Sequence, residues 1–320
     1  MSVLPTDSLS TPRFVGLPSF MRLPMATELQ GLDAAIVGLP SDSGAPFRTG
    51  ARFAPNALRA MSVMLRPINP YRGHINIFEV LRVADAGDAT CVPGYEIESL
   101  AALERALDAV VEAGAVPFGI GGDHSVSLAG LRAAAKRHGP LGLVHFDSHT
   151  DTWDSYFDGK RYSAGTMFRR AIEEGIVDPA RSIQVGMRGS LFQPADVSQS
   201  VDLGLEVITC DEMFALGLPE TARRIAARSA GHPAFLSFDL DFVDPAYAPG
   251  VETPECGGPT ARETLSLLRS LQGLNLVGCD VVELNPSYDG PGQITALLGA
   301  TVMAELLAIL AEARVRERSR

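Results

Sequence analysis

His145-Phe-Asp147-Ser-His149-Thr-Asp151 crowds metal-type side chains into one short run, and Asp239-Leu-Asp241 answers it much later in the chain. Asp147, His149 and Asp151 are two residues apart, so in an extended segment their side chains leave on one face and converge. Asp239 and Asp241 repeat that spacing. Each cluster follows an apolar, β-prone stretch, Leu141 to Val144 and Ala234 to Phe238, which predicts acids at strand ends. Gly121-Gly-Asp-His-Ser125 follows a third such run and precedes a helical pattern. Its two glycines permit a tight turn and a close backbone approach that would hand His124 to the same end of the sheet, while Asp123 suits a helix cap. His124, Asp147, His149, Asp151, Asp239 and Asp241 then remain for metal. Carboxylates with two imidazoles suit Mn²⁺ or a similar borderline-hard ion better than zinc. Two such ions sharing carboxylates lower the pKa of a bridging water and aim the resulting hydroxide, which is hydrolytic chemistry.

The elements that must position these groups alternate. Strand-like runs recur at Ala34 to Gly38, Val116 to Ile120, Leu141 to Val144, Ser182 to Val185, Leu205 to Thr209, Ala234 to Phe238 and Leu276 to Asp280, most too uniformly apolar for a one-sided sheet. Helical patterns cover Glu96 to Ala113, Ser125 to His138, Gly165 to Glu174, Pro219 to Ala230, Thr260 to Leu271 and Ile294 to Ala313. This alternation predicts an α/β fold, a mainly parallel sheet covered on both faces, with functional groups beyond the carboxyl ends of the strands. Residues 1–30, rich in Pro and Ser and without periodicity, read as an N-terminal arm packed on the body or on a neighbouring subunit. Residues 31–320 read as a single catalytic domain, and the basic end from Arg314 to Arg320 as a solvated helix terminus.

The chain has 320 residues, 46% hydrophobic content and a formal charge of -11, so it can bury a sizeable core. That charge argues against a nucleic-acid partner, since phosphate binding needs a basic surface. Cys91, Cys210, Cys256 and Cys279 are dispersed and read as reduced, mostly buried thiols of a cytoplasmic protein. The N-terminal residues do not read as an export signal, and no stretch reads as long and apolar enough to span a bilayer, so neither export nor a membrane partner is expected.

Gly121-Gly-Asp-His-Ser, Asp147-Ser-His-Thr-Asp and Ser237-Phe-Asp-Leu-Asp-Phe-Val-Asp-Pro245 resemble the three signatures of the ureohydrolase family of arginases and agmatinases. Pro46 to Phe53, Ala248-Pro-Gly250 and Asp280-Val-Val-Glu-Leu-Asn-Pro286 extend the likeness from about Gly31 to the C-terminal helix. The pattern is closest to the agmatinase, guanidinobutyrase and proclavaminate amidinohydrolase branch. The resemblance implies a three-layer α/β/α sandwich, shared by arginases and deacetylases, a homotrimer or homohexamer, and two Mn²⁺ per subunit, with Ni²⁺ as the alternative. It implies a metal-bridging hydroxide that hydrolyses a small cationic guanidino substrate, agmatine or a guanidino acid, to urea and an amine. One metal would take His124, Asp147, Asp151 and Asp239, the other Asp147, His149, Asp239 and Asp241. Asp151 would also carry the proton of the hydroxide, and Glu283 would hold the guanidinium in its carboxylate fork.

Weaker readings attach to neighbouring residues. His145 suits a hydrogen bond behind the ligands, Trp153 a pocket wall, Arg48 and Arg52 structural ion pairs, and Asp244 the turn after its strand. Two departures from the family stand out. Ala164, in Ser-Ala-Gly-Thr, occupies the place of the proton-shuttling histidine. An engineered replacement, a substrate whose leaving group needs less help, such as an alkylguanidine or biguanide, and a weakly active or non-catalytic metal-binding subunit partnering an active chain all fit that change. Gly250-Val-Glu-Thr-Pro254 replaces Gly-Thr-Gly-Thr-Pro, and Glu252 reads either as a group favouring a cationic substrate tail or as a surface carboxylate. Deacetylase chemistry on the same architecture is a further alternative.

Overall fold

Apolar runs of this kind form strands buried on both faces. In the computed structural model, which describes residues 4–319, the strands are β1 (Ala34–Gly38), β2 (Ile68–Asn69), β3 (Ile75–Asn76), β4 (Val83–Asp88), β5 (Val116–Ile120), β6 (Gly142–Phe146), β7 (Ile183–Met187), β8 (Glu206–Thr209), β9 (Pro233–Asp239) and β10 (Asn275–Val282). β2 and β3 make a small antiparallel ladder. The other eight form one sheet in the order β4-β1-β5-β10-β9-β6-β7-β8, and every pairing in it is parallel. β1, β5, β6 and β7 are buried at every position, as a sheet covered on both sides requires.

Two apolar cores lie against the two faces. Helices Glu96–Glu112, Ser127–His138 and Met167–Glu173 close one. Ala54–Ser62, Leu218–Arg228, Ala261–Ser270 and Ile294–Arg318 close the other. The result is the expected three-layer α/β/α sandwich. Ile294–Arg318 has the length and mean hydropathy of a membrane span, contrary to the sequence expectation that no stretch would qualify. Its apolar window is 78% buried inside the protein, where it serves as the central helix of one layer.

Elements the apolar pattern did not announce have physical reasons for hiding. β4 reads Val-Ala-Asp-Ala-Gly-Asp, yet Asp85 is fully buried because Arg59 donates to it through Nε and Nη2, both at 2.8 Å. Ala54–Ser62 begins at a Pro in its first turn, a start signal that the glycine-rich loop before it obscures. Thr209 and Glu212 form a capping box that opens the short helix Cys210–Leu216.

The segment read as an arm divides in two. Residues 1–3 lie outside the described residues, as does Arg320 at the basic end. Leu9, Phe14 and Leu17 are almost wholly exposed, whereas Phe20, Met21 and Leu23 are buried in the core. Phe20 N–H donates to Asp85 at 2.8 Å and Met21 N–H to Ser62 Oγ at 2.7 Å, so the body begins some ten residues before the expected boundary at 30. Cys210 and Cys279 are buried, Cys91 is half-buried and Cys256 is exposed, so burial of the thiols is less general than expected.

Asp85 therefore ties β4, the helix Ala54–Ser62 and the entry of the chain together through one buried ion pair. Asp85→Ala leaves Arg59 without its carboxylate and is expected to lower unfolding free energy by roughly 3–5 kcal/mol. Denaturant titration followed by circular dichroism measures it, and a loss below about 1 kcal/mol would show that the pair is not a structural tie.

Candidate metal centre

Every predicted ligand sits at a carboxyl end of the sheet. After β5, Gly121 and Gly122 take φ of +82° and +90°. A Cβ at Gly121 would lie 2.5 Å from Pro55 Cδ, and one at Gly122 2.5 Å from the Leu39 carbonyl, so both positions require glycine. The turn they allow delivers His124 into the start of a short 3-10 helix. Asp123 faces the other way and caps that helix, accepting from Ser125 N–H at 2.9 Å and from Gly44 N–H at 2.7 Å. Asp147 follows β6, Asp239 ends β9, and Glu283 follows β10. Asp151 and Glu283 have φ of +50° and +68°, a conformation that side chains with a Cβ adopt only where surrounding contacts impose it.

His124 defines the first half of the centre. Its Nδ1 lies 3.0 Å from Asp147 Oδ2, 2.9 Å from Asp151 Oδ2 and 3.1 Å from Asp239 Oδ2. Its Nε2 lies 2.8 Å from Ser237 Oγ, which donates to Asp280 Oδ1 at 2.6 Å. With Ser237 spending its proton on Asp280, Nε2 is the protonated nitrogen and Nδ1 turns a lone pair toward three carboxylate oxygens. Nδ1 is buried without a hydrogen-bond partner. Such an arrangement repels itself unless a proton or a cation lies among the four atoms.

The second half is built from Asp147, His149 and Asp241. His149 Nδ1 lies 3.0 Å from Asp241 Oδ2 and 3.4 Å from Asp147 Oδ1. Asp147 thus turns one oxygen to each half. Asp241 Oδ1 is fixed by Ser148 N–H at 3.0 Å and Ser148 Oγ at 2.7 Å. Asp239 turns Oδ2 to the first half, while its Oδ1 accepts the Asp241 N–H at 2.7 Å. His145 also lies within 4.8 Å of the first group, but its Nε2 donates to Asp147 Oδ2 at 2.7 Å and its Nδ1 accepts from Gln184 at 2.9 Å. It orients Asp147 from behind.

Burial dominates the electrostatics. It pushes the Asp151 carboxyl up to about 7, helped by the Asp147 charge, and raises Asp239 well above the usual range, with Asp241 and Asp147 adding to the effect. Burial raises Asp147 too, but the surrounding imidazoles, His145 first, hold it well below an ordinary carboxylate. Burial opposes charge on His124, and its three carboxylates more than reverse that. Carboxylates with two imidazoles are the donor set of a hard or borderline divalent ion, and the buried unpartnered Nδ1 faces the position such an ion would take, so these residues fit a metal pair.

A cavity of about 630 Å³ opens over the centre. His149, Asp151, Asp239 and Glu283 form its floor, and Trp153, Tyr156, Phe157 and Phe192 line its side. Trp153 Nε1 donates to Asp196 Oδ1 at 3.2 Å, which sets the ring. Ala164 borders the cavity beside these aromatics, with its N–H held by the Gly44 carbonyl at 3.0 Å. Glu252 corrects the sequence reading on both counts. Its side chain is neither at the surface nor in the cavity wall but fully buried, accepting from Ala51 N–H at 3.1 Å. Arg52 pairs with Asp42. Arg48 instead donates to the Val251 carbonyl and stacks on Tyr288 at 4.3 Å. Asp244 fixes its turn through the N–H groups of Ala246, Gly257 and Gly258.

Sequence reasoning missed Ser237 and Asp280, although both stand inside quoted motifs. Ser237 lies two residues before Asp239 on one strand, and that spacing was the available signal. Arg188 was missed entirely. It donates to the carbonyls of Asp241, Phe242 and Glu255, tying the second acidic loop to the cavity rim.

Asp151 and Asp239 bind protons more tightly folded than unfolded, so without metal the native state holds more protons and stability falls as pH rises from about 4 through 7. Divalent metal displaces those protons. Metal-stripped protein is expected to lose thermal stability steadily over that window, and excess Mn²⁺ to raise the melting temperature more at pH 8 than at pH 6. Calorimetry tests both, and a metal-induced shift that shrinks as pH rises would contradict the assignment.

Residues 32–308 match the arginase family. The chain is 45% identical to a guanidinopropionase of Pseudomonas aeruginosa, covering 98% of this chain and 97% of the relative, and 41% identical to a guanidinobutyrase of the same organism, covering 96% of each. The crystal structure of proclavaminate amidinohydrolase from Streptomyces clavuligerus superposes with a TM-score of 0.90 at 40% identity, over 95% of this chain and 100% of that one. Fold, ligand geometry and these likenesses agree: the chain belongs to the arginase family.

Proposed function

We propose that this chain is a metal-dependent hydrolase that cleaves the guanidino C–N bond of a small guanidino compound, giving urea and an amine. The observation that carries the reading is His124 Nδ1 within 2.9 to 3.1 Å of three carboxylate oxygens at the floor of a cavity that also contains Glu283. Mn²⁺ is the first choice for both ions and Ni²⁺ the second, on donor chemistry. When bound, the ions supply a water acidic enough to ionise near neutral pH. Glu283, whose Oε1 is held by the His124 N–H at 2.6 Å, binds the planar guanidinium and presents its carbon to the floor. Asp151 takes the proton of the attacking water on its carboxylate and carries it to the leaving nitrogen, which departs as the amine. Water and guanidinium thus become urea and an alkylammonium.

Ala164 motivates a second reading, a metal-binding subunit with little turnover that partners a related active chain. A homotrimer or homohexamer in the cytoplasm, with neither nucleic acid nor membrane as partner, remains our expectation for the assembly. The discriminating experiment is urea release by the purified, metal-loaded chain across agmatine, guanidino acids, alkylguanidines and biguanides. Urea from any of them supports the hydrolase. None, even from Ala164→His, sinks it, and acetylpolyamine turnover without urea would point to deacetylase chemistry instead.

The cavity wall bears on the substrate tail. Arg188 is the wall's guanidinium, and its donors are spent on backbone carbonyls, while Asp196 and Glu255 add negative charge beside the aromatics. An apolar or cationic tail fits this wall better than a carboxylate, even though two relatives are named guanidinopropionase and guanidinobutyrase. Agmatine or a butylguanidine is expected to exceed 3-guanidinopropanoate in kcat/KM by about tenfold, the equivalent of ~1.4 kcal/mol. The reverse preference would relocate the tail site.

Ala164→His restores an acid beside the leaving group. It is expected to raise kcat by about 10- to 100-fold with a smaller change in KM, because a proton donor acts mainly in the transition state. Steady-state kinetics decide it, and an unchanged kcat and pH profile would show that the proton does not pass through position 164.

A further inference from the structure

The aromatic wall of the cavity is drawn from two loops, and one buried carboxylate joins them. Trp153 lies in the loop after β6 and Phe192 in the loop after β7, the neighbouring strand. Their ring centroids are 5.8 Å apart, so the two rings make one continuous face. Asp196, only 7% exposed, accepts from Trp153 Nε1 on Oδ1 at 3.2 Å, and on Oδ2 from the N–H groups of Phe192 at 2.7 Å and Gln193 at 2.9 Å. The same join continues toward the metal floor, where Thr150 Oγ1 donates to the Asp196 carbonyl at 3.3 Å and Thr152 Oγ1 meets Ser200 Oγ at 2.6 Å.

Other contacts fix the backbone of the first loop but not the relation between the rings. Trp153 N–H donates to the Gly165 carbonyl at 3.1 Å, and Arg170 Nη1 donates to the Asp154 carbonyl at 2.7 Å, which ties that loop to the helix Met167–Glu173. The indole packs against Gly165, where a Cβ would come within 2.8 Å of Trp153 Cε3. Phe192 has no comparable support. It is 82% exposed, so burial contributes little to holding its ring, and its N–H on Asp196 Oδ2 sets where it stands.

We propose that Asp196 is a positioning residue for the substrate tail: one carboxylate holds the Trp153 indole and the Phe192 backbone in register, and the face so formed packs along the tail of a guanidino substrate. The inference rests on the guanidino reading, with the guanidinium at Glu283 and the tail along this wall. Asp196 needs no contact with substrate for this role, because the N–H groups on its two oxygens all belong to the wall loops themselves.

Butylguanidinium and methylguanidinium separate the tail from the anchor, and neither tail carries a charge that Asp196 could attract. Calorimetric titration of the metal-loaded full-length protein with each compares wild type, Asp196→Asn, Trp153→Phe and the double variant. Wild type is expected to bind butylguanidinium roughly 10-fold more tightly, since its further methylenes meet an apolar face. In Asp196→Asn the single amide oxygen stays with the two backbone N–H groups, and the NH2 turns against the indole N–H, donor to donor. The preference is then expected to fall to about threefold or less. The emission maximum of Trp153, the one tryptophan of the sequence, is expected to move with it. Trp153→Phe removes the same bond from its other end, so the double variant is expected to lose no more than Trp153→Phe alone. Losses that multiply overturn the proposal, as does a preference or an emission spectrum left unchanged in Asp196→Asn. Should Asp196→Asn fail to fold, Trp153→Phe carries the contrast, and a full preference there overturns the proposal. Wild-type protein that binds both ligands equally removes the tail site and leaves the guanidinium reading standing. Wild-type protein that binds neither removes that reading and the inference together.

Discussion

Uncompensated negative charge is the constraint on which this structure turns. Asp147, Asp151, Asp239 and Asp241 are brought together at the carboxyl ends of parallel strands, nearly all of their surface removed from water. Burial of a lone carboxylate is costly enough that the group normally neutralises itself. Here Asp151 and Asp239 are pushed toward that escape when no metal is bound, while the scaffold fixes the remaining donors and acceptors around them. Backbone N–H groups, Ser148 and His145 are committed to individual oxygens, and Ser237 with Asp280 commits the protonated nitrogen of His124 elsewhere. What remains unsatisfied is a set of inward-facing lone pairs, which is the electrostatic definition of a cation site.

The fold supplies the rigidity that keeps those lone pairs in register. β6, β9 and β10 lie side by side, flanked by β5, so the segments carrying Asp147, Asp239, Glu283 and His124 emerge from adjacent strands. The glycine pair after β5 lets the chain turn between Pro55 and the Leu39 carbonyl, and the positive φ at Asp151 and Glu283 shows that packing, not local preference, sets their backbone. Arg188 adds a tie that needs no carboxylate partner. Its donors collect carbonyls from both the Asp241 turn and the segment after Glu252, so the second acidic loop and the cavity rim move as one piece.

Much of this was legible in the sequence because its physics is local. Alternation by two announced the ligands, and uniform apolar runs announced buried parallel strands. What stayed hidden depends on partners distant in sequence. β4, with two aspartates in six residues, is absent from the apolar runs, and its Asp85 is buried by Arg59, twenty-six residues away. Phe20 falls in the segment expected to pack as an arm on the body or on a neighbouring subunit, and its N–H finds the same carboxylate. Glu252 reads from the sequence either as a group beside a cationic tail or as a surface carboxylate, and only the bridge between Val251 and Leu284 brings its buried segment against that of Glu283. The helix Ile294–Arg318 carried the composition of a membrane span, since a helix buried all round in a large sandwich has the same apolar content.

The two departures from the family pattern lie in different surroundings, and their physics differs. Ala164 stands at the cavity wall, and on the proposed reading an imidazole at that position would supply a proton to the leaving nitrogen. Glu252 is fully buried away from the cavity wall, with its Oε1 accepting from Ala51 N–H at 3.1 Å. On the proposed reading binding and turnover are separable: a complete set of metal donors can coexist with a leaving-group step that falls to Asp151 and solvent.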